Sequence, residues 1–188
     1  MSVKYWEFFL SLEDDLERCT KYVEFCPDNY STYLNEFAKI IMSASAEFEN
    51  VAKDLCQLIT PGSNPRSIKE IHPILYGAYP KFGTVEVGIP RYKLLFKPWE
   101  DWTSSNRPHW WSKGYNKIKH ARTLFFKNAN LHYALLSMAG LFTCILYYHH
   151  KETGGIEIDH KREPSLFDII ESGSFTGGGI TVTYDIPI

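Results

Sequence analysis

The sequence lacks a Cys-x-x-Cys pair: its four cysteines, Cys19, Cys26, Cys56 and Cys144, stand apart. Three of them sit inside apolar helical patterns, which predicts buried free thiols in a reducing compartment and not a disulfide framework. A strong excess of charge of one sign is also missing. The formal net charge is −2, so no global field advertises nucleic acid or a membrane, although a local basic patch remains allowed. The opening stretch MSVKYWEFFLSLEDDLE has no secretory pattern, because acidic residues follow Leu12 at once and no small-residue cleavage site appears. A cytoplasmic protein is expected. Internal repeats, low-complexity tracts and a Gly-x-Ser-x-Gly nucleophile motif are all absent. Gly177-Gly178-Gly179 lacks the Lys-Ser/Thr of a phosphate-binding loop and is expected to be a flexible turn. His149, His150 and His160 suggest no metal site, since neighbouring histidines on a helix diverge by about 100°. No cofactor is expected.

What is present is ordinary globular composition with unusually many aromatics. In 188 residues, hydrophobic residues are 44% and charged residues 22%, enough for one packed domain. Aromatics reach 15%, with five Trp and 12 Tyr, which predicts a bulky core and an aromatic interface. Long apolar runs are limited to Leu131–Tyr148. That run of about 18 residues reaches the lower limit of a membrane span. It holds His132, Ser137 and Thr143 and lacks a one-sided Lys/Arg flank, so a central core helix is expected and no membrane.

The periodicity predicts a mainly α fold, a bundle of four to five helices with a small β appendage. A first helix is expected over about residues 3–25, with Phe9, Leu12, Leu16, Cys19 and Val23 inward and Glu13, Asp14 and Asp15 on a solvated face. Ser31 or Thr32 is expected to cap a second helix reaching about Thr60. Ser67-Ile-Lys-Glu70 has the capping-box pattern of a short third helix toward Tyr76. Residues 83–97 alternate with period two and predict two strands around Pro90. A polar loop from Pro98 to Pro108 leads into a fourth helix from about Trp110 to Phe125. Asn128 or Asn130 opens a fifth, ending near Lys151. Residues 1–152 therefore form a helical domain with an inserted hairpin. The Gly-rich tail 153–188 carries short strands at Ile156–Ile158 and Ile180–Tyr184. It is expected to complete a small sheet with the 83–97 pair, or to swap onto a partner subunit.

The fourth helix is the best candidate for chemistry. At about 100° per residue, Trp111, Tyr115, Ile118, Arg122 and Phe125 fall on one face. Lys113, Asn116, Lys117 and His120 fall on the opposite face within about one-quarter of the circumference, with Lys119 at the flank. Arg122, on the apolar face, then calls for a buried acidic partner, and Glu47 is one candidate. The polar face suits RNA. Metal-free RNA cleavage needs a base for the 2′-OH proton, an acid for the leaving 5′ oxygen, and cations for the phosphorane. Histidine serves either proton transfer, and lysine holds phosphate charge. One histidine supplies one proton-transfer partner, and a homodimer would bring a second. The competing reading is a plain solvated helix face, since amphipathic helices commonly expose Lys, Asn and His.

The segment Trp110-Trp-Ser-Lys-Gly-Tyr-Asn-Lys-Ile-Lys-His-Ala-Arg122, followed by Asn128-Ala-Asn-Leu131 and a long apolar helix, resembles a bacterial branch of the HEPN superfamily. Tyr5-Trp-Glu-Phe-Phe-Leu-Ser-Leu-Glu-Asp-Asp-Leu16, Tyr22-Val-Glu-Phe25, Arg91-Tyr92 and Pro98-Trp99 fit the same branch, so the similarity spans residues 5 to 150. The resemblance implies a helical bundle that dimerises. It also implies a metal-independent endoribonuclease of a toxin–antitoxin or phage-defence system. The family's motif is an Arg, often followed at once by a polar residue, and after four to six residues a His. His120 matches the His and Asn116 the polar position. Tyr115 stands where the Arg would, and Lys113 lies at the longest permitted spacing. An ammonium there is a point charge, without the two-pronged grip of a guanidinium. Two functions are thus expected side by side. In one, His120, Asn116 and Lys113 are catalytic, and Lys117 and Lys119 bind RNA. In the other the chain is a non-catalytic interaction module, an antitoxin-like, scaffold or accessory subunit of a defence system, with Asn116, His120 and Arg122 in a structural polar network; a protein partner such as an antitoxin is expected alongside the homodimer.

Overall fold

The computed structural model describes residues 4–155, 157–159, 163–169, 181–184 and 186–188. Among these the chain is mainly helical, with five α-helices and a small three-stranded antiparallel sheet. Helix α1 spans Trp6–Arg18, where Trp6, Phe9, Leu12 and Leu16 recur every three or four residues and are buried. It ends well short of residue 25. A single 3-10 turn, Cys19–Lys21, follows it, and Tyr22 is left exposed.

Helix α2 spans Asn35–Ile59. It starts later than Ser31 or Thr32 because residues 32–34 are drawn into extended pairing instead. Leu34 N–H donates to Ala129 at 3.1 Å, Leu131 N–H donates to Thr32 at 2.9 Å, and Tyr33 bridges Asn130. Helix α3 spans Ile68–Ala78 after Ser67. Its Glu70 accepts from the Arg66 N–H at 2.9 Å and from the Ser67 hydroxyl at 3.2 Å, so the carboxylate reaches one residue further back than in a standard capping box.

Strands β1 (Val87–Ile89) and β2 (Leu94–Phe96) form the expected hairpin, with Pro90 opening the turn and Gly88 opposite Leu95. A π-helical turn, Trp110–Tyr115, runs into α4, Asn116–Phe125. Helix α5 spans Leu131–Thr153, with the Asn130 side chain accepting from the Tyr133 N–H at 2.9 Å as its N-cap and Gly154 closing it at positive φ. Among the described residues it is the one helix long and apolar enough to cross a membrane, and 83% of that apolar window is buried inside the fold. It packs along α2 more extensively than any other pair of elements.

The tail differs from expectation. Among the described residues, strands β3 (Glu157–Asp159) and β5 (Thr181–Thr183) pair with each other as a separate ribbon. The third strand of the main sheet is β4, Asp168–Ile169, which pairs antiparallel with β1 in the order β2-β1-β4. The expected turn at Gly177-Gly178-Gly179 lies outside the described residues. What fixes β4 is Glu13. The helical pattern puts it on a solvated face with Asp14 and Asp15, yet it is 2% exposed. Its carboxylate accepts from the N–H groups of Ser165 and Leu166, both at 2.9 Å, and of Phe167 at 3.1 Å. Asp14 and Asp15 do face solvent, where both pair with Arg18.

The core is aromatic at the end that matters for the site. Phe48, Trp99, Trp102, Trp110 and Trp111 form one cluster, with Phe48 and Trp99 centroids 4.4 Å apart and Trp99 and Trp110 at 5.1 Å. The Trp110 indole N–H donates to Pro98 at 2.8 Å. Each fully buried ring contributes roughly 1.5–3 kcal/mol by burial, and a well-placed ring pair adds about 1 kcal/mol. This cluster nails the Pro98–Pro108 loop and the start of the fourth helix onto α5. All four cysteines are free, three of them buried.

Candidate functional site

The fourth helical segment is not the uniform helix that 3.6 periodicity predicts. Its first six residues, Trp110–Tyr115, form a π-helical turn with wider i→i+5 bonding, and Ala121 has non-helical angles, φ −152° and ψ 51°. Trp110, Trp111, Gly114 and Tyr115 are all buried within the π turn. Gly114 lets it press on α5, since a Cβ there would sit 3.2 Å from the Tyr133 ring. Asn128 ties the turn down from outside by donating to the Lys113 carbonyl at 2.6 Å.

Between the two irregularities the predicted residues emerge together. Lys113, Lys117, Lys119 and His120 are exposed and Asn116 is half-buried. Lys119 donates to the Tyr115 hydroxyl at 3.2 Å, and Lys117 lies 4.6 Å over the Phe125 ring. The side chains of Lys113, Asn116 and His120 make no hydrogen bond or ion pair among the described residues. The pairing of Arg122 with Glu47 is not formed. Arg122 is exposed with its guanidinium 5.6 Å over Phe126, and Glu47 accepts from Asn50 at 3.2 Å. The reason is the break at Ala121, which turns Arg122 off the apolar face that an unbroken helix would give it. The structural network of Asn116, His120 and Arg122 is likewise not built from mutual hydrogen bonds among the described residues.

One electrostatic feature surrounds this helix. The sequence contains no Asp or Glu between Asp101 and Glu152, while Lys113, Lys117, Lys119, Arg122 and Lys127 fall within that stretch and are exposed. None of these cations pairs with a carboxylate among the described residues; their neighbours are aromatic rings or solvent. The run is visible in the sequence as a span without acids, a signal that a helical-wheel projection does not register.

Beside the helix lies a cleft of about 280 Å³ whose walls include Phe96, Asp101, His109, Trp110, His132 and Tyr133. These residues come from the β2 end, the loop, the π turn and the first turn of α5, so no local spacing announces them. The His109 N–H donates to Asp101 Oδ2 at 2.8 Å, and the His109 ring nitrogen Nδ1 lies 3.6 Å from the same oxygen. His132 stacks on Tyr30 at 4.4 Å, and burial lowers its pKa, so the ring is neutral at pH 7. Burial, reinforced by the Asp101 charge, pushes the Tyr133 phenol up. His120 is not part of the cleft lining. Among the described residues no group of three His, Cys, Asp or Glu side chains is arranged to hold a metal ion; His149 bonds the Lys4 carbonyl at 3.0 Å. Comparison with known proteins finds no matching family model, no matching curated sequence and no matching solved structure.

Proposed function

We propose that this chain is a HEPN-like, RNA-directed protein that holds the phosphate backbone on the exposed basic helix carrying Lys113, Lys117, Lys119 and His120. The observation that supports this most is the unneutralised positive charge: a stretch without acids, from Asp101 to Glu152, whose exposed cations have no carboxylate partners among the described residues. Ammonium groups without a carboxylate partner displace the counterions condensed on a polyanion and lose no ion pair in doing so. Placing His120 among them gives a titratable group beside phosphate.

Cleavage is the stronger form of the proposal. The 2′-OH attacks the adjacent phosphorus, the bond from phosphorus to the 5′ oxygen breaks, and a 2′,3′-cyclic phosphate and a 5′-OH result. A base takes the 2′ proton and an acid protonates the 5′ oxygen. One copy presents a single exposed imidazole on this helix, so the reaction requires a homodimer that faces two copies of His120. The non-catalytic reading is favoured by Lys113 standing where a guanidinium is expected and by that single imidazole. In this form the chain is an RNA-binding accessory subunit, or a partner of an antitoxin-like protein, in a cytoplasmic defence system.

The test is a salt titration of binding to an unstructured 20-mer RNA. The wild type is expected to bind more weakly as salt rises. The triple variant Lys113→Gln, Lys117→Gln, Lys119→Gln is expected to flatten the log–log slope by about 2, from roughly 0.7 per lost phosphate contact. Absence of salt-dependent binding to RNA overturns the proposal. The same RNA incubated in EDTA separates the two forms. Cleavage that ends in a cyclic phosphate, rises per chain with protein concentration and vanishes in His120→Ala marks the nuclease. Binding without cleavage marks the accessory subunit.

A further inference from the structure

The cleft beside the basic helix has the wrong charge for phosphate and the right walls for a base. Glu100 and Asp101 both line it, and Lys97, its cation, is paired to Glu86 at 2.7 Å. A phosphate entering would meet carboxylates. A neutral ring bearing N–H donors would meet acceptors. Its accessible aromatic surface comes from the half-buried His132 and Tyr133, while Phe96 and Trp110 line it almost wholly buried. At about 280 Å³ the cleft sits just below the usual range of small-molecule pockets, which suits one heterocycle and not a larger ligand.

Its polar groups are also left over from the protein's own bonding. Asp101 Oδ2 is taken by the His109 N–H, while Oδ1 has no hydrogen bond among the described residues. The His132 ring stacks on Tyr30 without a hydrogen-bond partner among the described residues, and the same holds for the Tyr133 hydroxyl. A carboxylate oxygen, a neutral imidazole and a phenol are the groups that read the edge of an unpaired base, and aromatic walls are what such bases stack on. The cleft is coupled to the helix directly, since Tyr133 packs against Gly114, the residue after Lys113.

We propose that this cleft binds a nucleobase carrying an exocyclic amino group, adenine, cytosine or guanine, and discriminates against uracil, with Asp101 accepting from the amino group. The idea rests on the RNA-binding reading for its source of bases, with the strand's phosphates on the basic helix and one base turned into the cleft. A free nucleoside offers the same chemistry.

The test measures preference, which a general loss of charge does not move. Dodecamers of U alone, and of U with a central C or A, are titrated at constant salt. Cytidine, adenosine and uridine are titrated in parallel by tryptophan fluorescence. About tenfold tighter binding of the amino-bearing base is expected. Asp101→Asn is expected to abolish that preference, because the asparagine oxygen still accepts from the His109 N–H while its amide presents a donor where the amino group needs an acceptor. Tyr133→Phe, which keeps the ring against Gly114, is expected to weaken amino-base binding by a smaller factor. Equal affinity for all dodecamers and nucleosides, or an unchanged preference in Asp101→Asn, overturns the cleft proposal and leaves the basic-helix reading standing. Nucleoside preference without RNA binding reverses that result, keeping the cleft as a free-nucleoside site and removing the RNA reading. No binding of any probe overturns both.

Discussion

Glu13→Ala is expected to destabilise the fold by about 3 kcal/mol. The substitution strips the acceptor from three N–H groups, those of Ser165, Leu166 and Phe167, and the last two belong to buried residues. A buried donor left without a partner costs about 1–3 kcal/mol, and relief from burying a carboxylate offsets part of the total. For a chain of this size that is a fall in Tm of about 9 °C. Limited proteolysis should report the same event locally, since β4 and the segment before it lose their anchor to α1. An unchanged Tm and unchanged cleavage near residues 163–169 would sink the account of Glu13 as the clamp of the tail. Glu13→Gln separates charge from hydrogen bonding, because it keeps one acceptor oxygen and removes the charge.

That variant also carries a pH signature. Burial raises the Glu13 pKa above its ordinary 4.5, and the three N–H groups pull it only partly back down. The folded protein therefore holds this proton more tightly than the unfolded chain does. Below the unfolded value both states are protonated and ionisation costs nothing. As pH rises through the interval between the unfolded and folded values, stability falls by the cost of ionising the buried group. Glu13→Gln is expected to remove this acid-to-neutral decline, checked by denaturant midpoints measured from pH 4 to 8.

Gly140→Val is the second large effect, expected at about 3 kcal/mol. A Cβ on Gly140 would lie 2.9 Å from Trp99 Cζ2 and 3.0 Å from Trp110 Cζ2. Neither ring has room to yield. Both are buried at 1% exposure, and the Trp110 indole is held by the Pro98 carbonyl at 2.8 Å. Overpacking of this kind costs about 1–3 kcal/mol, and a branched side chain sits at the upper end. Trp110 also lines the cleft, so the same substitution should erase any base preference there. Gly77 is the control. It lies in α3, and a methyl group added to it would meet nothing within 4 Å, so Gly77→Ala should gain up to about 1 kcal/mol from helix propensity alone. Equal tolerance at both glycines would contradict the close crossing of Trp99 and Trp110 over α5.

Elements driven by local pattern were legible from the sequence. The apolar spacing of α1, α2 and α5, the alternation over 83–97 and the Asn130 cap each depend on residues within a turn or two of one another. Features set by partners far along the chain were not. The burial of Glu13 depends on three N–H groups more than 150 residues away, and nothing near Glu13 distinguishes it from Asp14. The start of α2 was displaced by extended pairing with residues 129–131. For the site, the exposure of His120 and the lysines followed from amphipathicity, while the placement of Arg122 failed at Ala121, where packing overrides the helical period.

Charge and periodicity are local properties, so the order of residues was enough to establish a helical chain with one basic, histidine-bearing helix in a stretch free of acids. That His109, His132, Tyr133 and Asp101 share a cleft was settled in three dimensions, and so was the π turn that opens the helix above them. Both depend on how four distant segments close around the tryptophans, and packing of that kind leaves no periodic trace along the chain.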